Sequence, residues 1–196
     1  VLVTASALWV SGTRTLAMDE GGEADWLSAY PDEAPAVDLD LEQSVYVLYT
    51  SGSTGVPKGV EVLQRGLIDY CAFARMNYYG EGLVGALVAT SPAFDLTVPS
   101  LYVPLLVGGV VTLLPGEEAV SGLAWALEDE ATAPQLLRLT PSHVQGLLAL
   151  SDEQPRLAAH VFVVGGESFS AELARGLQAK YPHARIYNHY GPTEAV

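Results

Sequence analysis

The densest concentration of phosphate-binding chemistry lies in Tyr49-Thr50-Ser51-Gly52-Ser53-Thr54-Gly55-Val56-Pro57-Lys58-Gly59, directly after a β-branched run. Small residues there let backbone N–H groups approach an anion closely. The hydroxyls of Thr50, Ser51, Ser53 and Thr54 add donors, and Lys58 adds a positive charge. The spacing is not that of a Walker P-loop, which needs glycine, four residues and then Gly-Lys-Ser/Thr; here Lys58 stands between Pro57 and Gly59. A functionless Gly/Ser turn is the bland alternative, and so long a run of this content after a buried strand argues against it. Asp95 is the next candidate, a carboxylate at the mouth of an apolar helical pattern (Leu96, Val98, Leu101), costly there unless paired. Its bland reading is a helix N-cap. His143, His160, His183 and His189 have no metal-ligand spacing, and Cys71 in a helical pattern reads as plain packing.

Positioning these groups calls for an alternating chain. Strands are predicted at 1–4, 45–49, 85–89, 110–114, 136–139, 161–164 and 185–187, and helices at 65–79, 97–106, 121–130, 141–150 and 171–180. Thr140 before Pro141 and Ser170 before Ala171 supply N-caps, with Glu172 suited to the second helix's dipole. Apolar strands alternating with helices imply an α/β fold, a mostly parallel sheet flanked by helices. The stretch 19–43 holds nine acids and no base, with Pro31 and Pro35 inside. It reads as an acidic surface connection rather than a domain boundary, with a dock for a basic partner as the sharper alternative.

The 196 residues carry 49% hydrophobic and 16% charged side chains, the balance of a folded globular protein. Nine Lys and Arg against 23 Asp and Glu, a formal charge of −14, argue against nucleic acid and against anionic lipid as partners. The longest apolar run, 101–115, is broken by Pro104 and Gly108-Gly109 and is too short for a membrane span. A single cysteine excludes an internal disulfide and suits a cytoplasmic location. No signal peptide is visible, and the strand-like opening without Met reads as a piece of a larger protein.

The loop at 49–59 resembles that of the adenylate-forming enzymes, and more narrowly of the adenylation domains of nonribosomal peptide synthetases. Phe94-Asp95-Leu96-Thr97, Gly165-Gly166-Glu167 and Tyr187-Asn188-His189-Tyr190-Gly191-Pro192-Thr193-Glu194 resemble three further family segments, in the family's order and at its rough spacing. The resemblance covers essentially the whole chain, as part of the large AMP-binding subdomain. It implies that the 50–55 loop and Lys58 close over the β- and γ-phosphates of ATP, and that Thr193 meets the α-phosphate. Glu194 would hold Mg2+, as a hard carboxylate suits magnesium. Tyr190 would stack on adenine, Asn188 would take its exocyclic amine, and the Gly165-Gly166-Glu167 turn would flank its other face. The implied reaction is attack of an amino-acid carboxylate on the α-phosphate of ATP with loss of pyrophosphate, with Thr193, Glu194 and Lys58 as its catalytic groups. Such chemistry depends on positioning and charge neutralisation, which suits a loop without a nucleophile–base pair.

The same resemblance assigns Asp95 to the substrate's α-ammonium group and makes Asp95, Leu96, Pro99, Arg138, Val163, Gly165 and His189 the pocket lining. Asp95 separates this reading from an acyl-activating ligase of the wider superfamily. Arg138 and His189 are basic in an otherwise apolar wall, and a buried guanidinium needs an anion whose geometry fits its fork. Within the family, a basic residue at the Arg138 position with His at the His189 position resembles pockets for aspartate, so the resemblance implies an acidic side chain, aspartate first and asparagine or a hydroxylated relative next. A solvent-pointing Arg138 is the alternative, Pro99 departs from the commoner pocket residue, and Gln64 stands where many members carry histidine. The lining position after Val196, the ribose-gripping segment, the hinge and the small C-terminal subdomain with its bridging lysine are expected outside this chain. The chain alone is therefore expected to be weak or inactive. Implied partners are a carrier domain bearing phosphopantetheine and an MbtH-like activator. A noncatalytic nucleotide-binding module is the reading from another class, and intact Lys58, Thr193 and Glu194 weigh against it.

Overall fold

The computed structural model describes residues 2–4, 15–17, 31, 33, 36–51, 55–79, 82–114, 119–128, 133–150 and 155–195. Two compact units divide between Leu39 and Asp40. The division falls inside the acidic stretch, where residues 36–43 are exposed, so that stretch is more of a boundary than the sequence suggested. The first unit contains β1 (Leu2–Thr4) and β2 (Thr15–Ala17), paired in parallel.

The second unit begins with an antiparallel hairpin, β3 (Ser44–Thr50) and β4 (Lys58–Leu63), registered so that Thr50 faces Lys58. β4 is a correction to the sequence reading, which ran the Gly/Ser/Thr loop through Gly59 and saw no second strand. Its Lys-Gly-Val-Glu-Val-Leu does alternate, once the loop is ended at Pro57. Helix α1 (Gln64–Asn77) follows, then β5 (Gly85–Val88) and a 3-10 turn (Asp95–Thr97) that leads into α2 (Val98–Leu106). After these come β6 (Val110–Leu113), α3 (Ala119–Glu128), β7 (Gln135–Leu139), α4 (Pro141–Leu150), β8 (Val161–Val164), α5 (Ala171–Lys180) and β9 (Arg185–Asn188). These bounds follow the predicted ones closely.

Strands β5 to β9 form one wholly parallel sheet in the order β6-β5-β7-β8-β9. Period-two alternation divides its side chains. Leu87, Leu137, Leu139, Phe162 and Val164 face a core shared with α3, α4 and α5. Ala86, Leu136, Val161 and Val163 face a second core shared with α1 and α2. Both faces are covered, which is why these strands read as near-continuous apolar runs. Arg138 breaks the pattern, since alternation assigns it to the α1/α2 face.

Local signals fix the helices next to the site. Ser170 Oγ accepts the Leu173 N–H at 3.1 Å, as its cap position predicts. At α4, Thr140 Oγ1 accepts the His143 N–H at 3.2 Å while His143 Nδ1 accepts the Thr140 N–H at 3.2 Å. This is a capping box with histidine in the usual glutamate place. The end of α1 is closed from β9: Tyr187 donates its hydroxyl to Asn77 O and Arg185 its Nη2 to Tyr78 O, both at 2.8 Å. Among the described residues no helix is long and apolar enough to cross a membrane.

His160 is the core's titratable exception. It is almost fully buried between Phe162 and Tyr181, its Nδ1 accepts the Gln135 N–H at 3.1 Å, and burial lowers its pKa from 6.5 to about 4. The unfolded chain takes up this proton below pH 6.5, while the folded chain holds it off until about pH 4. Its share of stability is therefore complete above pH 6.5 and falls by roughly 3 kcal/mol on descent to pH 4. His160→Asn keeps an acceptor near the Nδ1 position without the titration, so its denaturant midpoint should fall less steeply between pH 7 and 4.5 than that of the wild type. Parallel slopes would refute the assignment.

Candidate functional site

Chain direction reverses around one pair of strands. From β5 the chain crosses to β6 on one side, and from β7 it crosses to β8 on the other. In open parallel sheets the crevice outside the carboxyl ends at such a switch point is where ligands bind. Two cavities open at this edge and share Asp95, Leu96, Gly166 and Glu167. The larger, about 920 Å³, lies over β5, β6 and α3 and is mostly apolar. The smaller, about 320 Å³, lies over β7, β8 and β9 and gathers Arg138, Asp95, His189 and Tyr70. Its concentration of charge makes it the candidate site.

Arg138 is 7% exposed and does not point to solvent. Its Nη1 donates to Val163 O at 3.1 Å and its Nη2 to His189 O at 3.3 Å, while its buried Nε has no hydrogen-bond partner. Among the described residues no carboxylate forms an ion pair with it. Burial lowers its pKa, and Tyr70, Tyr78 and Asp95 oppose that shift. A buried cation with two carbonyls and no anion is an arrangement that an anionic ligand completes.

Asp95 is half-buried at the first position of the 3-10 turn and lines both cavities. It is not a cap: neither that turn nor α2 has a side-chain cap, and the carboxylate accepts no hydrogen bond among the described residues. Leu96 lines both cavities. Gly165 is buried where β8 ends, and a Cβ there would stand 1.7 Å from His189 O and 2.8 Å from Arg138 Nη1. Gly165→Ala should therefore cost about 3 kcal/mol and dislodge the guanidinium. Thermal unfolding measures the first effect, and an unchanged midpoint would refute the close approach. Pro99, Val163 and Gly165 line neither cavity: Val163 packs in the core shared with α1 and α2, and Pro99 is buried within α2 itself. Val163 reaches the site through its carbonyl alone.

The residues expected on the phosphate side are more open. Thr50 and Lys58 face each other across the hairpin mouth, and Lys58, Ser51 and Gly55 are exposed. Gly55 has φ +79°, a conformation that favours glycine. Gly52, Ser53 and Thr54 lie outside the described residues. Asn188 ends β9, Tyr190 is exposed on the rim of the smaller cavity, Thr193 is half-buried and Glu194 exposed. Gly166 and Glu167 line both cavities. Glu167 is already engaged, accepting the Ser142 hydroxyl at 2.6 Å and the Ser142 N–H at 3.2 Å. Among the described residues no group of three or more His, Cys, Asp or Glu could hold a metal ion.

Two site residues escaped the sequence reading. Tyr70 of α1 lines the cavity and stacks on His189, and Tyr78 places its hydroxyl 3.2 Å from His189 Nδ1. Burial pushes both phenols up. Their helical spacing with Leu67, Cys71 and Ala74 marks them only as core, and the core they join happens to end at the cavity.

The family model described as AMP-binding enzyme matches residues 4–196. Bacitracin synthase 3 of Bacillus licheniformis is 38% identical over 175 residues, covering 86% of this chain and 3% of its own length. A D-alanine--D-alanyl carrier protein ligase of Listeria monocytogenes is 34% identical over 199 residues, covering 96% of this chain and 38% of its own. The chain thus spans well under half the length of these curated relatives. Among solved structures, the nonribosomal peptide synthetase FmoA3 superposes with a TM-score of 0.79 at 25% identity, over 98% of this chain and 20% of that one. VinN with L-aspartate gives 0.66 at 19% identity, over 82% and 40%, a likeness of fold alone.

Proposed function

Because the chain belongs to the AMP-binding enzyme family, we propose that it is part of an adenylation domain that activates an amino acid with an acidic side chain, aspartate first. The observation that carries the substrate class is Arg138, a buried guanidinium with an unpartnered Nε beside a cavity of about 320 Å³. In this reading the substrate's side-chain carboxylate meets Arg138 and its α-ammonium meets Asp95. One substrate anion and one substrate cation then answer one protein cation and one protein anion, so that no charge is left unpaired.

The substrate's α-carboxylate is left facing the rim, where Tyr190, Thr193 and Glu194 follow β9. There its oxygen attacks the α-phosphorus of ATP. The bond to the bridging oxygen of the β-phosphate breaks, pyrophosphate leaves, and an aminoacyl-adenylate remains. Lys58 and the 50–55 loop would neutralise the departing phosphates, and Thr193 would donate to the α-phosphate. Asn188, Tyr190 and the Gly165-Gly166 backbone are the adenine side, with Glu167 held at the head of α4 by Ser142. Glu194 would hold Mg2+, which would neutralise charge on the phosphates; a carboxylate is the hard ligand this ion prefers. The adenylate would then pass to the phosphopantetheine thiol of a carrier domain. An MbtH-like activator is a further proposed partner, and the cytoplasm is the proposed location.

The test is amino-acid-dependent exchange of pyrophosphate into ATP by the domain with its flanking segments restored, across all proteinogenic amino acids. A signal led by aspartate is expected. A signal led by an apolar amino acid would keep the adenylation and overturn the pocket assignment. Silence with every amino acid, with and without an activator protein, would favour a noncatalytic module.

A further inference from the structure

His189 is enclosed by two tyrosines, Tyr70 of α1 and Tyr78 just past its end. Tyr70 lies against the imidazole with ring centroids 5.8 Å apart and planes 19° from parallel. Tyr78 is almost wholly buried, and its hydroxyl stands 3.2 Å from Nδ1. That hydroxyl has one proton to give, and among the described residues it has no acceptor other than His189. A protonated Nδ1 would leave the buried hydroxyl proton without an acceptor, which is unfavourable for any buried donor. The other groups that line the cavity with His189 are Arg138 from β7, Asp95 in the 3-10 turn before α2, and Glu167 and Tyr190 on the rim, while Tyr187 of β9 packs against the Tyr78 ring. Burial and the Arg138 charge both hold the imidazole neutral, against the pull of Asp95.

We propose that Tyr78 is a positioning residue for substrate selection: it fixes His189 as the neutral Nε2–H tautomer and so gives the cavity one cation, Arg138, and one neutral donor. The selectivity part rests on the amino-acid reading of the cavity, while the tautomer belongs to the unliganded chain. A side-chain carboxylate can then take the guanidinium on one oxygen and the imidazole N–H on the other. A doubly protonated ring would instead overcharge the pocket for a monoanion. An Nδ1–H ring would turn a bare nitrogen toward the carboxylate and repel it.

Ring-nitrogen NMR of the 15N-histidine-labelled chain at pH 7, without ligand, tests the proposal, with the His189 signals assigned from His189→Gln. The expected spectrum has a bare Nδ1 and a protonated Nε2. Tyr78→Phe should move both signals toward the averaged values of free imidazole and weaken L-aspartate binding about tenfold by calorimetry. In the His189→Gln background that loss should vanish, because the glutamine amide N–H donates from the Nε2 position unaided. A protonated Nδ1 in the wild type, two protonated nitrogens, or unmoved signals in Tyr78→Phe would overturn the proposal. So would an equal loss of affinity in both backgrounds, the mark of a merely structural tyrosine. If Tyr78→Phe does not fold, the wild-type spectrum alone decides. Aspartate binding is read in the domain with its flanking segments restored, and such a domain that shows the expected spectrum but binds no amino acid would overturn the adenylation reading and leave the tautomer standing.

Discussion

Replacing Arg138 by methionine is expected to abolish selective binding of aspartate and at the same time to raise the unfolding temperature. The two effects have one cause. The guanidinium is buried on the apolar α1/α2 face beside Leu136 and Val163, and its only described acceptors are two backbone carbonyls. Without a ligand anion, the folded protein bears most of the desolvation of that charge, which Tyr70, Tyr78 and Asp95 offset only in part. An apolar side chain of similar volume removes the penalty, and such swaps are neutral to stabilising by about 1–4 kcal/mol. Losing the bonds to Val163 O and His189 O returns part of the gain. A net gain of about 1 kcal/mol corresponds to a rise of about 2–4 °C for a chain of this length. Binding moves the other way, because losing one partner of a buried charge pair costs roughly 2–5 kcal/mol, some 30- to several-thousand-fold in affinity. Calorimetric unfolding and aspartate titration on the same sample measure both. A lower midpoint, or aspartate affinity within threefold of the wild type, would contradict the anchor.

Asp95→Ala is expected to lower kcat/KM for pyrophosphate exchange by at least about a hundredfold in the domain with its flanks restored. The carboxylate is half-buried, caps no helix and accepts no hydrogen bond among the described residues, so its loss should leave α2 intact. In the proposed function what it removes is the counter-ion of the substrate's ammonium group, and an unpaired ion in such a site costs roughly 3–5 kcal/mol. A dicarboxylic acid without the α-amine supplies the control. Its weak binding should be unchanged or improved by the substitution, because it carries no ammonium to strand. Equal losses for the acid and the amino acid would mean that Asp95 supports the fold of the pocket rather than the charge of its ligand.

How far the sequence discloses all this depends on which force sets each element. β8, α4 and α5 were legible to the residue, because apolar alternation and local capping by Thr140 and Ser170 act within a few positions. β4 was hidden because its first two residues, Lys58 and Gly59, also belong to the phosphate-type motif, and the antiparallel register that defines it involves β3 across the loop. Asp95 and Arg138 stood out as charges in apolar runs, and burial now gives the second its meaning. Tyr70 and Tyr78 could not stand out. An aromatic on the buried face of a helix looks the same whether its hydroxyl meets a core atom or a functional histidine. Pro99 and Val163 were assigned to the lining by resemblance, yet neither lines a cavity, Val163 lying in the core shared with α1 and α2 and Pro99 being buried within α2.

The bond from Arg138 to the His189 carbonyl joins positions 51 residues apart, and the Tyr78 hydroxyl reaches His189 across 111. Parallel pairing makes every such approach wait for a crossover, so the specificity apparatus is built from contacts of high sequence separation, the slowest kind to form. Until β9 docks on β8, the guanidinium lacks one of its acceptors, Tyr78 lacks its own, and the end of α1 lacks the groups that close it. In the proposed function, selection among amino acids is therefore a late property of the folding chain. It arises in the step that completes the sheet, and lesions on β9 that spare every ligand contact should surface as slow maturation of activity before they surface as lost stability.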